Sequence, residues 1–281
     1  MTESNRVEVI DSFAPVIEVL RILYPDSVSD ESLLQKLSDS QGTKIFTPDI
    51  RRRLPSLDSI ETSLGYIRSD LATKLPEVRF PRLVAIVSTF NQSIINVDSI
   101  MLIGLNHYLG KDYPGYDYFE TYQRFTKTPQ HLPYDILESI IRNSYPYRPA
   151  DDATTLNRLL YEGAIIASMM QLIPDATLAE ALGYTPTQLQ WLSDNERQAW
   201  QALITRQYLY STNEVISERL VNPAPSTTIL HPESPGRAGR YIGYRIVASF
   251  LAKNPNTSLD KILSPQFYNS PTTLISASYN P

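Results

Sequence analysis

The segment DDATTLNRLLYEGAIIASMMQLIPD, residues 151–175, constrains the fold more than any other stretch. Its acidic and hydroxyl residues suit a helix N-terminus, where they satisfy free backbone N–H groups and the helix dipole. Toward its end the run is apolar nearly all round. A helix without a polar face must be covered on every side, so this one is read as central.

The surrounding chain supplies its cover. SFAPVIEVLRILYP (12–25) has Ser12 in a capping position and Val16, Val19, Leu20 and Leu23 at helical spacing, and Pro25 ends it. A second short helix is read in DSVSDESLLQKLSDSQG. Arg51, Arg52 and Arg53 form a basic turn and a solvated face ahead of a helix from about 57 to 75. RLVAIVSTF (82–90) and SIINVDSIMLIGLNHYLG (93–110) are rich in β-branched residues. The "NQ" between them predicts a hairpin, the one strong strand signal in the chain.

Helices follow at 116–125 and 132–146. Residues 175–210 hold a short helix, a Gly-Tyr-Thr-Pro break and a long helix. At 211–223, Ser211 and Glu214 make a capping-box pattern. The expected fold is mainly α (α+β): about ten helices with a small β-hairpin, in a single domain of 1–281. Its parts are helices over 1–80, the hairpin over 81–110 and helices over 116–281.

A net charge of −5 argues against nucleic-acid binding, which usually needs a basic face. The absence of cysteine excludes disulfides, thiolate catalysis and Cys-ligated zinc. No run reaches the length of a membrane span. MTESNRVEVIDSF lacks a signal pattern, so the chain is either cytosolic or begins after a removed signal. The 18 tyrosines against 8 phenylalanines suit half-buried positions. They serve either as packing between helices or as the wall of a cleft for sugars or peptides.

Common catalytic motifs are missing. There is no P-loop and no G-x-S-x-G elbow, and GRAGRYIG is not a dinucleotide fingerprint. His107, His131 and His231 are isolated in sequence, and only folding could gather them into a metal site. What remains is a hairpin, then a helix carrying Glu138, then Glu162 followed by Gly163. Zincin metallopeptidases place an edge strand, an H-E-x-x-H helix and a later Glu in that order. With Glu138 as the catalytic glutamate, the two histidine positions hold Leu137 and Ile141, which bind no zinc.

SPGRAGRYIGYRIVASFLAKNP (234–255) reads as a helix capped by Ser234 with Pro235 in its first turn. Gly239 and Gly243 share a face and admit another backbone. Arg237 and Arg240 sit at the N-terminal end, where a cation opposes the dipole by up to about 1 kcal/mol. Pairing with Glu138 and Glu162 would accommodate them. Arginines facing water, or holding a phosphate or carboxylate, are the alternatives.

DSIMLIGLNHYLGKDYPGY, LLYEGAIIASMMQLIPDATLAEALGYTPTQLQWLSDNERQAW and SPGRAGRYIGYRIVASFLAKNP, in that order, resemble the gliding-motility lipoprotein B (GldB) family of the Bacteroidetes. The likeness covers most of the chain from about residue 80. It implies a zincin-like fold whose metal ligands are missing, with no catalytic residue, metal or cofactor. It implies a periplasmic or outer-membrane protein anchored by a lipid on an N-terminal cysteine that this sequence lacks. The implied role is a non-catalytic, accessory one in envelope, secretion or motility machinery, with an envelope protein or cell-wall component as partner. Asn106, His107, Glu138, Arg142, Glu162, Arg237 and Arg240 are the candidate cleft. A metal-dependent peptidase with a non-standard site, or a glycan- or peptidoglycan-binding protein, are the competing functions.

Overall fold

The computed structural model describes residues 13–23, 25, 29–88 and 92–281. The expected Ser12 cap and Asn91 of the expected turn lie outside them. The fold is mostly helical, with fifteen α-helices and one three-stranded sheet among the described residues. It opens with α1 (Ala14–Leu23), α2 (Asp30–Asp39), α3 (Gln41–Arg53) and α4 (Asp58–Lys74). Arg51, Arg52 and Arg53 close α3 rather than forming a turn; Arg53 reaches across to the Leu109 carbonyl at 3.0 Å.

The sheet corrects the expected hairpin. β1 (Arg82–Ile86) pairs in parallel with β3 (Ile100–Gly104), and β2 (Ile94–Val97) pairs antiparallel with β3 on its other side. The tight turn is therefore Asp98-Ser99, inside the second β-branched run. Asp98 adopts φ 48°, a conformation that Asp tolerates in turns. β3 is buried along its whole length. Met101 and Ile103 face the main core, while Ile100 and Leu102 join Val16, Ile17, Val19, Leu20 and Leu33 beneath α1 and α2. The period of two along the strand splits its side chains between these layers.

The helical body follows. α5 (Thr121–Arg124) and a 3-10 turn at Pro114–Tyr116 stand where one helix over 116–125 was expected. α6 (Leu132–Ser144) precedes α7 (Thr155–Leu172). Next come α8 (Leu178–Leu182), α9 (Pro186–Asp194), α10 (Glu196–Thr205) and α11 (Glu214–Val221). The expected long helix is split between α9 and α10 at Asn195, whose side chain bonds the Trp191 carbonyl at 2.7 Å in competition with the backbone. The cap of α11 is Asn213, accepting from Val215 N at 3.0 Å, not the Ser211–Glu214 box. α12 (Ala238–Lys253) is followed by α13 (Leu259–Leu263), α14 (Pro265–Tyr268) and α15 (Thr273–Ala277), whose shortness left no periodicity to read.

α7 is the axis of this body, and every residue from Leu159 to Met169 is buried. α12 packs directly on it. A Cβ placed on Gly243 would lie 1.9 Å from the Leu159 carbonyl oxygen, and one on Gly163 2.2 Å from the Gly243 carbonyl. The two backbones therefore touch, and only hydrogen fits between them. Several tyrosines complete the interior with their hydroxyls bonded: Tyr116 donates to the Asn106 carbonyl at 2.7 Å, and Tyr241 to Glu196 at 2.8 Å. Burial of the ring is favourable only because the polar tip keeps a partner.

Gly243→Ala is expected to destabilise the protein by about 3 kcal/mol, through overpacking against rigid backbone. Gly65→Ala, in the exposed middle of α4 with nothing near its added Cβ, is expected to stabilise by about 0.5–1 kcal/mol. Urea denaturation of both variants measures the difference.

Candidate functional site

Gly163 fixes where Glu162 points. With Gly163 against α12, the adjacent Glu162 sits at the α7–α12 seam and is almost fully buried. One turn before Gly243 on the other helix is Arg240, also buried. α6 supplies Glu138 and Arg142 from successive turns of one face. Four sequence-predicted residues from three helices thus converge.

Their geometry is a closed ion network. Arg142 grips Glu162 with both terminal nitrogens, at 3.2 and 2.5 Å, and donates to Glu138 from Nε at 2.8 Å. Arg240 donates to Glu138 at 2.7 Å. Its Nε lies 3.3 Å from Glu162 Oε2 without hydrogen-bond geometry. Arg158, one turn before Glu162 on α7, adds a third guanidinium at 3.0 Å from Glu162 and stacks over Tyr147 at 5.0 Å. Sequence reasoning passed over Arg158, although its i, i+4 spacing to Glu162 was a usable signal.

Burial alone would raise both carboxyls. Arg240 and Arg142 overcome it at Glu138, and Arg142 and Arg240 at Glu162, so both are held below the ordinary carboxylate range. The network walls a cleft of about 770 Å³ between β2, α6, α7, the residues after α11 and the start of α12. Asp135 also lines it, held by the Tyr108 hydroxyl at 2.8 Å.

Arg237 lines the same cleft but joins no ion pair among the described residues. The expected cap was misplaced: α12 begins at Ala238, three residues after Pro235. Arg237 is the preceding residue, in the left-handed region at φ 62°. Ser234 and Pro235 lie in a loop pinned across Thr227, whose hydroxyl donates to the Pro235 carbonyl at 2.7 Å and accepts from Ala238 N at 3.1 Å. Thr227 thus does the capping assigned to Ser234.

Asn106 and His107 are not brought to this cleft. They lie just after β3, where Asn106 bonds both backbone groups of Ser88, at 2.8 and 3.1 Å, in the manner of a further strand residue. His107 is buried beside Lys127 and Phe119. His131 stacks on Tyr134, and His231 packs by Trp191. Among the described residues no three His, Asp or Glu are grouped to hold a metal ion. Leu137 and Ile141, the positions flanking Glu138 in the peptidase frame, are fully buried.

Fold and cleft together define a predominantly helical protein with an arginine-walled groove. Among the described residues no helix is long and apolar enough to cross a membrane. The chain belongs to the family described as gliding motility protein GldB, whose model matches residues 8–281. No curated protein and no solved structure matches it.

Glu162→Gln would leave three guanidiniums around one remaining carboxylate, and is expected to cost about 3–5 kcal/mol in denaturation experiments. The depressed carboxyls also set a pH dependence. Their contribution is fully present above the unfolded-state value of about 4.3 and is lost as pH falls toward their lower folded values. A Glu138→Gln variant is therefore expected to show a shallower loss of stability below that pH than the parent, measured by urea midpoints.

Proposed function

We propose that this protein is a non-catalytic component of the cell envelope that acts by binding another molecule in the arginine-walled cleft. Lipid anchorage at the periplasmic or outer-membrane side, and service to gliding or secretion machinery, belong to the same proposal; family membership supports them.

The observation that carries this reading is the state of Glu138. A general base must be free to take a proton near the operating pH. Glu138 is instead clamped by Arg142 and Arg240 and held far below that range. Glu162 is equally committed to Arg142 and Arg158. A metal would have to displace guanidiniums from both acids. The sites beside Glu138 offer it only hydrocarbon, from Leu137 and Ile141.

The test is metal content and peptide cleavage by protein prepared without a histidine tag in the presence of zinc. Substoichiometric zinc is expected, with no chelator-sensitive cleavage in the parent or in Glu138→Gln. Stoichiometric zinc, with cleavage that Glu138→Gln abolishes, would overturn the proposal.

A further inference from the structure

We infer that the cleft captures a peptide by its C-terminal carboxylate, with Arg237 as the anchor and the free edge of β2 pairing with the peptide backbone. The inference rests on the binding role proposed above and names its ligand class.

Three features of Arg237 point to an absent anion. First, four guanidiniums line the cleft, from Arg142, Arg158, Arg237 and Arg240, against the carboxylates of Asp135, Glu138 and Glu162. One positive charge is in excess. Second, Arg237 makes no ion pair among the described residues: burial and then Arg240 oppose its charge, and Tyr184, Glu138 and Asp135 offset only part of that, the two acids without reaching ion-pair distance. Its hydrogen bond, 3.3 Å to the Gly183 carbonyl, occupies one of five donors. Third, its backbone is left-handed, a conformation that Gly or Asn adopts more easily. Strain of this kind gathers at ligand clamps. Beside it, the Nε atoms of Arg240 and Arg158 are buried without a hydrogen-bond partner, and the Arg240 side chain is only 7% exposed.

The charge count selects the ligand. A carboxylate monoanion cancels the single excess charge and matches the planar fork of a guanidinium. A phosphate dianion would overshoot it and face three carboxylates. The strand selects a peptide. β2 is an edge of the sheet, and Gln92, Ser93, Ile94 and Asn96 line the cleft. Such an edge pairs with an extended chain, while a basic pocket takes the chain's terminal carboxylate. The cleft has the volume of an ordinary ligand site.

The full chain, labelled with nitrogen-15, is titrated with the acetylated tetrapeptide Val-Thr-Val-Ala and with its C-terminal amide. Arginine Nε–Hε and backbone resonances are followed by NMR. The free acid is expected to shift Arg237 and residues 93–97, and the amide to bind at least about ten-fold more weakly. Arg237→Gln is expected to abolish the preference for the acid without changing the melting temperature, and Arg237→Lys to restore part of it. Equal binding of acid and amide, or no shift with either, overturns the inference. So does inorganic phosphate displacing the peptide at a lower concentration than acetate does. The parent titration decides without any variant. Mass spectrometry of the same samples separates the two readings. Cleavage of a bound peptide would sink the non-catalytic role but leave carboxylate capture standing. Neither binding nor cleavage would sink the capture and leave the role.

Discussion

Gly163 and Gly243 let the backbones of α7 and α12 meet, and the positions of the charged residues follow from that contact. The helices cross where a methyl group on either glycine would penetrate the other chain. Glu162 precedes Gly163, and Arg240 lies one turn before Gly243, so the crossing point sets how far apart an acid and a base can stand. A separation larger by one methyl group would open the 3.3 Å approach of Arg240 Nε to Glu162.

The network at this seam is better understood as a device of arrangement than as a store of stability. Removing water from several charges is costly, and their mutual attraction roughly offsets that cost. What the pairs add is direction. Arg142 bridges α6 to α7, and Arg240 bridges α12 to α6, so three helices are registered against each other by charge as well as by shape. The same pairing consumes the acids. Glu138 and Glu162 are committed to holding the cleft's shape, which leaves the fourth guanidinium, Arg237, lining the cleft without an ion pair among the described residues.

Much of the architecture was legible because it rests on local rules. The all-round apolar run ending at Leu172 could only be central, and α7 is. The spacing of Gly239 and Gly243 announced backbone contacts, which the structure makes with α7 at Gly243 and with Leu220 of α11 at Gly239. Errors fell where two local signals competed. "NQ" resembled a turn more than Asp98-Ser99 did, although Asp98 takes the positive φ of the true hairpin. Ser234 and Pro235 resembled a helix start, but Thr227, distant in sequence, supplies the cap. Asn106 and His107 were grouped with the cleft residues, His107 also as a possible metal ligand beside Glu138 or Glu162, and both sit at the end of β3, outside the cleft.

By itself the sequence determined the mostly helical class, the central helix and the kinds of charge available, because periodicity and composition act over a few neighbouring residues. It also determined that Leu137 and Ile141 could not bind zinc. Only the tertiary structure decided which arginine pairs with which acid. Arg240 and Arg237 are three residues apart and equally basic. A turn of backbone sends one into Glu138 and leaves the other without an ion pair among the described residues, because pairing depends on distances of a few ångströms between segments about a hundred residues apart in the chain.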